Sequence, residues 1–270
     1  MITVDQLSFH HPHVSAPVVE DVTFRVEQGR LAVLLGPNGS GKTTLFKCIA
    51  GLWKPSAGQV RLDGTELLAL NYRQRATLLA VVPQDHTPPF PFSVAEAVLM
   101  GRAPHVGLYA APSSVDREVA GEALETVGIS HLADCPYTRI SGGEQQLVLI
   151  ARAITQDAPL MLLDEPTSHL DFKNQHKVLE LVRRIATDKG LTVLMTLHDP
   201  NLASVFADQV IMLKNGRIVS DGQPDSILNE KSLGFLYDVN VGIVANEERR
   251  LAYIKSNRLP AVKLAHSSSQ

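Results

Sequence analysis

The stretch GPNGSGKTT at residues 36–44 constrains the fold of this 270-residue chain more than any other feature. It fits the pattern G-x-x-x-x-G-K-[ST], follows the strand-like apolar run RLAVLLG, and precedes a predicted helix that begins near Lys42. Glycines in such a loop turn backbone N–H groups toward phosphates, Lys42 reaches the β- and γ-oxygens, and the Thr43 hydroxyl suits Mg²⁺. We therefore predict a phosphate-binding loop between a strand and a helix, rather than a mere glycine-rich turn.

Strands and helices alternate after this loop. Further strand-like apolar runs, separated by long helical stretches, lie at Val60–Leu62, Leu78–Val82, Leu160–Leu163 and Thr192–Leu197. The alternation predicts an α/β core with a largely parallel sheet. Ahead of the loop, the stretch DVTFRVEQG has apolar residues at every second position, at Val22, Phe24 and Val26, which predicts a β-region at the start of the chain.

Residues 84–158 interrupt this alternation because they contain no convincing strand. Ser93 and Glu96 form a predicted capping box before an apolar run. Ser114 is predicted to cap a second helix, which ends at Gly128. The pattern indicates that this part of the chain is helical.

We accordingly predict an α-helical subdomain of about residues 85–158, inserted into a core of residues 1–84 and 159–235. Within the core, Asn215-Gly216 is the predicted turn of a β-hairpin. Residues 236–270 form a short C-terminal extension that ends in a polar segment expected to be frayed.

A second candidate anion-binding loop lies in the stretch RISGGEQQLVLIARAI, where Ser141 and two glycines precede a predicted helix. Such a loop presents bare backbone N–H groups and a helix N-terminus to a negative charge. The loop at residues 36–44 already provides one phosphate cradle. The sequence therefore raises the question of which phosphate the second loop binds.

Polar residues at the ends of apolar strands supply the remaining candidates. In LMLLDEP, Asp164 is placed to hold Mg²⁺ through water, and Glu165 to orient or deprotonate an attacking water. Two acids closing a strand are by themselves more often solvated helix caps, and only the phosphate-binding loop favours the catalytic interpretation. His198 in TLHDP and Gln84 after LLAVV are each open to a purely structural interpretation. They indicate a role at the phosphate only in combination with the phosphate-binding loop and the two acids.

Composition excludes several classes of function. The net charge of −3 and the pI near 6.4 provide no electrostatic footprint for nucleic acid or an anionic membrane surface. Cys48 and Cys135 lie far apart, so we expect neither a disulfide framework nor a zinc site. We therefore expect the chain to work in a reducing compartment. No apolar run suggests a spanning helix or a leader, so we expect a soluble chain. The mean hydropathy of +0.03 hints at apolar surface buried against partners.

The order of these motifs resembles that of ABC-transporter ATP-binding subunits over about residues 1–235. The Walker A loop, Gln84, the SGGEQ signature, LLDEP, SHLD and His198 match the family's motifs one for one. The resemblance implies a P-loop NTPase fold with a RecA-like core, an antiparallel β-subdomain and an inserted α-helical subdomain. It also implies that ATP is sandwiched head to tail between two copies, so that the signature loop binds the γ-phosphate held by the partner's P-loop.

The resemblance further assigns roles to residues. It implies Glu165, His198 and Gln84 as catalytic residues, and ATP with Mg²⁺ as cofactors, the metal being held by Thr43, Gln84 and Asp164. The nucleotide-binding residues are His11, Gly36, Pro37, Asn38, Gly39, Ser40, Gly41, Lys42, Thr43, Thr44, Ser141, Gly142, Gly143, Glu144 and Asp171.

Two departures from the family's pattern concern nucleotide contacts. The signature reads ISGGEQQ, with Glu144 where Gln is commoner, although Ser141 and both glycines are intact. His11 stands at the expected place of an aromatic adenine-stacking residue, with Phe9 as the alternative. His10, His11 and His13 could also form a metal site. We favour a solvated loop instead, because no Cys or acid completes a ligand set.

Within the family, the stretch from residue 83 to 108 and the closing LYDVNVGIV most resemble importer ATPases that serve iron-chelate, haem or cobalamin permeases. This resemblance implies a homodimer on the cytoplasmic face of the inner membrane, bound to a polytopic permease and, indirectly, to an extracytoplasmic substrate-binding protein. Loop 85–92 is either a docking surface for the permease or a rigid connector. The rival functions are a soluble ABC ATPase acting on nucleic acid or the ribosome, and a non-catalytic ATP-binding regulator.

Overall fold

The computed structural model describes residues 1–12, 16–84, 90–107, 109–168, 170–245 and 250–255. Its strands are β1 (Ile2–Phe9), β2 (Val19–Val26), β3 (Leu31–Leu35), β4 (Ala57–Leu62), β5 (Thr65–Glu66), β6 (Leu79–Val82), β7 (Leu160–Leu163), β8 (Thr192–Leu197), β9 (Gln209–Lys214), β10 (Arg217–Gly222), β11 (Val241–Ala245) and β12 (Arg250–Ile254). Its α-helices are α1 (Lys42–Ile49), α2 (Tyr72–Ala76), α3 (Val94–Leu99), α4 (Ser114–Val127), α5 (Gly142–Thr155), α6 (Phe172–Lys189), α7 (Pro200–Phe206), α8 (Pro224–Ile227) and α9 (Glu230–Tyr237).

A six-stranded sheet in the order β10-β9-β3-β8-β7-β6 forms the centre of the fold. Strands β9, β3, β8, β7 and β6 run parallel, and β10 returns antiparallel to β9 through the turn at Asn215-Gly216. Every residue of β3, β7 and β8 is buried, as expected for strands covered on both faces. The predicted α/β core with a largely parallel sheet is confirmed.

A second sheet, in the order β2-β1-β4-β5, is antiparallel and packs against one face of the first. Alternate residues of β3 enter different cores: Ala32 and Leu34 pack with this second sheet, whereas its other three residues pack on the helical side. The strand run at Val60–Leu62 was predicted as part of the alternating core and instead lies in β4 of this antiparallel sheet. Its alternating exposure explains the difference, because only one of its faces is covered.

Between β6 and β7 the described residues form helices, with α5 packed against α3 and α4. The Ser93 capping box is present, since its side chain and that of Glu96 each bond the other's backbone N–H. The cap of α4 was predicted one residue too late: Ser113 is the cap, paired with Asp116, and Ser114 is the first helical residue. The capping box needs an acidic residue three positions on, which only Ser113 has.

The described part of the C-terminal extension contains a hairpin that the sequence analysis did not predict. Strands β11 and β12 form a separate hairpin, and Val241 at its base enters the main hydrophobic core. The predicted domain boundary at residue 235 falls within α9. The polar segment expected to be frayed lies outside the described residues. No helix in the described ranges is long and apolar enough to cross a membrane.

Candidate nucleotide-binding and hydrolysis site

The phosphate-binding loop joins β3 to α1 and depends on glycine. Gly39 and Gly41 have φ values of 78° and 103°, in the left-handed region that favours glycine. A Cβ at Gly36 would lie 2.3 Å from the Leu213 carbonyl oxygen, and one at Gly41 2.8 Å from the Val18 carbonyl oxygen. The backbone of the loop therefore sits directly against its neighbours, and its path leads into the N-terminus of α1.

Lys42 lies folded into this loop. Its ammonium donates to the Gly36 carbonyl at 2.8 Å and to the Pro37 carbonyl at 3.1 Å, and the residue is 5% exposed. Burial lowers the pKa of Lys42, while the charges of Glu165 and Asp164 act in the opposite direction. The buried Ser40 hydroxyl has no hydrogen-bond partner among the described residues. A cation and an unpaired polar group on a glycine-rich loop fit the phosphates of a nucleotide.

Asp164 follows β7 and is held by two hydroxyls. Thr196 Oγ1 on the adjacent strand β8 donates to Asp164 Oδ1 at 2.9 Å, and the Thr43 hydroxyl forms a further hydrogen bond. Burial raises the pKa of Asp164, reinforced by the charge of Glu165, whereas the hydrogen bonds from Thr196 and Thr43 lower it. A carboxylate and a hydroxyl meeting beside the phosphate loop are hard oxygen donors of the kind Mg²⁺ prefers.

Thr196 is a residue that the sequence reasoning missed. It is fully buried, and its Oγ1 also accepts the backbone N–H of Glu165 at 2.6 Å. Glu165 has a φ of 49°, so its backbone occupies the left-handed region at a residue that rarely adopts it. The available signal was a hydroxyl in the apolar strand VLMTLH, two residues before His198.

Two predicted residues converge on the carboxylate of a third, Glu165. Gln84 Nε2 donates to Glu165 Oε2 at 2.8 Å, and His198 Nε2 lies 2.6 Å from Glu165 Oε1. The three residues follow β6, β7 and β8, and the carboxyl ends of parallel strands meet at one edge of the sheet. The Ser168 hydroxyl also donates to the Glu165 carbonyl at 2.9 Å. The structure thus brings the predicted catalytic residues together.

The signature loop forms a second, internally bonded group. Ser141 caps α5, its hydroxyl donates to Glu144 Oε2 at 2.6 Å, and these hydrogen bonds lower the pKa of Glu144. Asp171 caps α6 by accepting the Asn174 backbone N–H at 2.8 Å. A Cβ at Gly143 would lie 3.5 Å from Asn174 Nδ2, so the signature loop and the start of α6 are neighbours.

The candidate adenine-stacking residues belong to an aromatic cluster. The rings of Phe9 and Trp53 stack at 5.2 Å, and His11 lies edge-on to both, at 5.2 and 5.3 Å. Lys47 Nζ lies 4.5 Å from the Trp53 ring centre. Phe9 is 8% exposed, whereas His11 is exposed. In the part of the chain that is described, no group of three or more metal-ligating side chains is present, and His13 lies outside it.

A glycine-rich phosphate loop at a helix N-terminus, beside two acids at the end of a parallel strand, defines a P-loop nucleoside triphosphatase. The sequence pattern of ABC transporters matches residues 19–168, and the chain belongs to this family. It is therefore an ATP-binding subunit and an ATPase. The predicted RecA-like fold with its antiparallel and helical additions is confirmed by solved ABC transporter structures that the chain resembles.

Individual relatives agree with this assignment. The hemin import ATP-binding protein HmuV of Pseudomonas entomophila is 39% identical over 251 residues, covering 91% of this chain and 96% of the relative. A protein provisionally classed as a metal-chelate type ABC transporter, solved in an inward-facing conformation, has a TM-score of 0.82 at 32% identity, over 94% of this chain and 96% of that one. The cassette MJ0796, solved as a dimer with ADP and Pi, has a TM-score of 0.73 at 26% identity, over 83% and 99%.

Proposed function

We propose that this chain is the ATP-hydrolysing subunit of a membrane importer for a metal chelate. The observation that carries the hydrolytic part of the proposal is the Glu165 carboxylate, which is held between Gln84 and His198 beside the phosphate loop. The names of the relatives support an import role and a hemin or metal-chelate cargo, and favour this function over one on nucleic acid. In such an importer the chain would lie peripherally on the cytoplasmic face of the inner membrane. An extracytoplasmic substrate-binding protein would deliver the cargo to the importer.

In the proposed mechanism, the loop from Gly36 to Thr44 binds the β- and γ-phosphates through backbone N–H groups and the Lys42 ammonium. Mg²⁺, when bound, neutralises charge on these phosphates, and Thr43, Asp164 and Gln84 would hold it. Glu165 Oε2 accepts a hydrogen bond from Gln84 and Oε1 lies against His198 Nε2, and each oxygen keeps a further lone pair with which the carboxylate can take a proton from the attacking water.

His198 and Gln84 keep the base aligned and, in our proposal, also contact the γ-phosphate. The base must point at one face of the phosphorus, and a carboxylate free to rotate would spend little time in that orientation. Fixing its two oxygens from opposite neighbours, at 2.6 and 2.8 Å, removes this freedom before the nucleotide arrives. The left-handed backbone at Glu165 serves the same end, because its N–H is anchored to Thr196.

We propose that each site is completed by a second copy of the chain. Ser141, Gly142, Gly143 and Glu144 would approach the γ-phosphate held by the partner's P-loop, with Asp171 close to the same interface. Ser141 and Gly142 are exposed, so the N-terminus of α5 can approach an anion, which would replace the Glu144 carboxylate as the acceptor of the Ser141 hydroxyl and N–H. The dimer of the relative MJ0796 with ADP and Pi supports this arrangement.

For the adenine ring of ATP, we propose that it stacks on His11. Phe9 is buried beneath Trp53 and His11, so it braces the cluster and has no free face. His11 is exposed and edge-on to both rings, which leaves its own face available.

The domain division also remains our proposal: an ATPase domain of residues 1–235 and an extension of residues 236–270.

A groove between α2 and α3 is the proposed docking site for the permease. Its volume is about 690 Å³, and it is lined mainly by apolar side chains, including Tyr72, Phe92 and Met100. Phe90 is 64% exposed, and its ring centre lies 5.8 Å from that of Phe92 in the groove. Such an apolar surface suits a helix that a permease presents to its ATPase. Residues 85–89 and 108, within the stretch predicted to dock, lie outside the described residues.

The import proposal is tested in cells that lack the chain. Uptake of a metal chelate (ferric siderophore, haem or cobalamin) should be lost, and should return with the wild-type chain but not with Glu165→Gln. Unchanged uptake of all three chelate classes would refute the cargo assignment.

The docking site is tested by Phe90→Asp, which should abolish uptake while the purified subunit still hydrolyses ATP. The matched control is Val219→Asp on the edge strand β10, 39% exposed, which should transport normally. Normal uptake by the Phe90 variant would refute the docking site.

A further inference from the structure

The segment from His198 to Asn201 is gripped by the C-terminal part of the chain. Tyr237 at the end of α9 donates its hydroxyl to the His198 carbonyl at 3.0 Å. Asn201, in the first turn of α7, makes two hydrogen bonds with the backbone of Ala252 in β12: its Nδ2 donates to the carbonyl at 3.2 Å, and its Oδ1 accepts the N–H at 2.7 Å. Both ends of this segment are therefore fixed by residues beyond position 235.

These C-terminal contacts are themselves anchored. Lys214 in β9 donates to the Phe235 carbonyl and to Asp238 Oδ1, which fixes the end of α9 where Tyr237 lies. Glu230 accepts hydrogen bonds from the Ile243 N–H at 3.1 Å and from the Lys255 ammonium at 3.0 Å, which ties the hairpin to α9. The Tyr237 hydroxyl therefore lies on a helix whose position is fixed by these hydrogen bonds.

We propose that Tyr237 is a positioning residue for His198, and that the C-terminal extension serves ATP hydrolysis by holding the His198 backbone in place. The inference rests on the proposed role of His198 in the ATPase site. His198 Nε2 lies 2.6 Å from Glu165 Oε1, and its side chain is 43% exposed, so few contacts other than this one restrain the ring. Fixing the carbonyl of the same residue restricts the movement of its Cα, and hence the direction of the ring.

The ring of Tyr237 is partly buried, and its hydroxyl keeps its proton. Burial raises the pKa of Tyr237 far above its usual value, reinforced by the charge of Asp199. The group therefore stays protonated throughout the physiological range and remains a donor to the carbonyl.

The test is Tyr237→Phe, which keeps the ring and removes only the hydroxyl. We expect the kcat for ATP hydrolysis by the full chain to fall about 3- to 10-fold, the size of effect expected from one lost hydrogen bond. The dissociation constant for ATP should stay within two-fold of wild type, because the phosphate loop is untouched. Tyr253→Phe, on the outer face of the hairpin and 50% exposed, is the matched control and should hydrolyse ATP normally. Asn201→Ala, which releases the other end of the segment, should change kcat in the same direction.

Two outcomes would overturn the inference. One is a Tyr237→Phe chain with wild-type kcat. The other is a loss of ATPase that follows a fall in melting temperature and disappears on cooling, which is the signature of a merely structural role. His198→Ala separates the inference from the function on which it rests: full ATPase activity in that variant would refute the proposed role of His198. An inactive His198→Ala chain beside a fully active Tyr237→Phe chain would refute the positioning role alone.

Discussion

Replacing Thr196 by valine should damage both the stability of the protein and its ATPase activity. The side chain is fully buried, and its hydroxyl serves two partners at once, the Glu165 N–H at 2.6 Å and Asp164 Oδ1 at 2.9 Å. Valine preserves the shape but leaves a buried donor and a buried acceptor without this partner. Each orphaned group costs about 1–3 kcal/mol, although Asp164 retains its hydrogen bond from Thr43. We therefore expect the free energy of unfolding to fall by about 2–4 kcal/mol.

Activity should fall for a separate reason. The Thr196 hydroxyl anchors the N–H of Glu165, whose φ of 49° is unfavourable for a non-glycine residue. Without the anchor the backbone relaxes, and the carboxylate leaves its position between Gln84 and His198. We expect kcat to fall by about ten-fold or more, since misplacement of a catalytic group by about 1 Å has effects of this order or larger. Urea denaturation and steady-state hydrolysis measure the two effects on the same preparation.

The chain offers a matched control on the same strand. Thr192 is 1% exposed, and its hydroxyl accepts only the partly buried Gly29 N–H, at 3.2 Å. Thr192→Val should cost about 1 kcal/mol or less and leave kcat unchanged. If Thr196→Val destabilises the protein no more than this control and hydrolyses ATP within two-fold of wild type, the hydroxyl does not organise the site, and the argument from its hydrogen bonds is wrong.

Three further predictions follow from the site and the core. Glu165→Gln should bind ATP normally but hydrolyse it about 10² times more slowly or worse, and hydrolysis within a few-fold of wild type would mean that the base lies elsewhere. A mixed dimer of Lys42→Ala and Ser141→Arg chains should trap about one nucleotide, because both lesions fall in one composite site. Neither mutant homodimer should trap any, and a mixed dimer as inert as its parents, with dimerisation verified, would contradict the shared site. Burial raises the pKa of the Cys48 thiol to about 12, so ionisation favours the unfolded chain above about pH 8.5. The free energy of unfolding should therefore fall between pH 9 and 11 by up to about 1.4 kcal/mol per pH unit more in the wild type than in Cys48→Ala, and parallel urea-denaturation profiles would refute this.

Much of the fold could be predicted because the relevant signals are local. The burial of β3, β7 and β8 on both faces appears directly as uninterrupted apolar runs, and a phosphate loop needs glycines at fixed positions, whatever surrounds it. The capping box at Ser93 needs only a partner three residues away. Where the local signal was ambiguous the prediction slipped, as at the cap of α4.

Sheet membership was less accessible. The run at Val60–Leu62 has the same local pattern whether its neighbour runs parallel or antiparallel, and the pairing of β4 with β1 depends on residues more than fifty positions away. The hairpin of β11 and β12 was missed for a related reason. It is held by side chains of Glu230 and Asn201, which no local pattern identifies as its partners.

The sequence by itself determined the phosphate loop, the order of the motifs and the identity of the groups that a nucleotide requires, because backbone propensity and residue chemistry are read locally. Only the tertiary structure decided what those groups do to one another. Gln84, Glu165 and His198 are separated by more than thirty residues at each step, yet they meet because parallel strands end at a common edge. The supports of that meeting, the hydroxyls of Thr196 and Tyr237, come from a neighbouring strand and from the C-terminal helix, and their roles arise only from contacts across the fold.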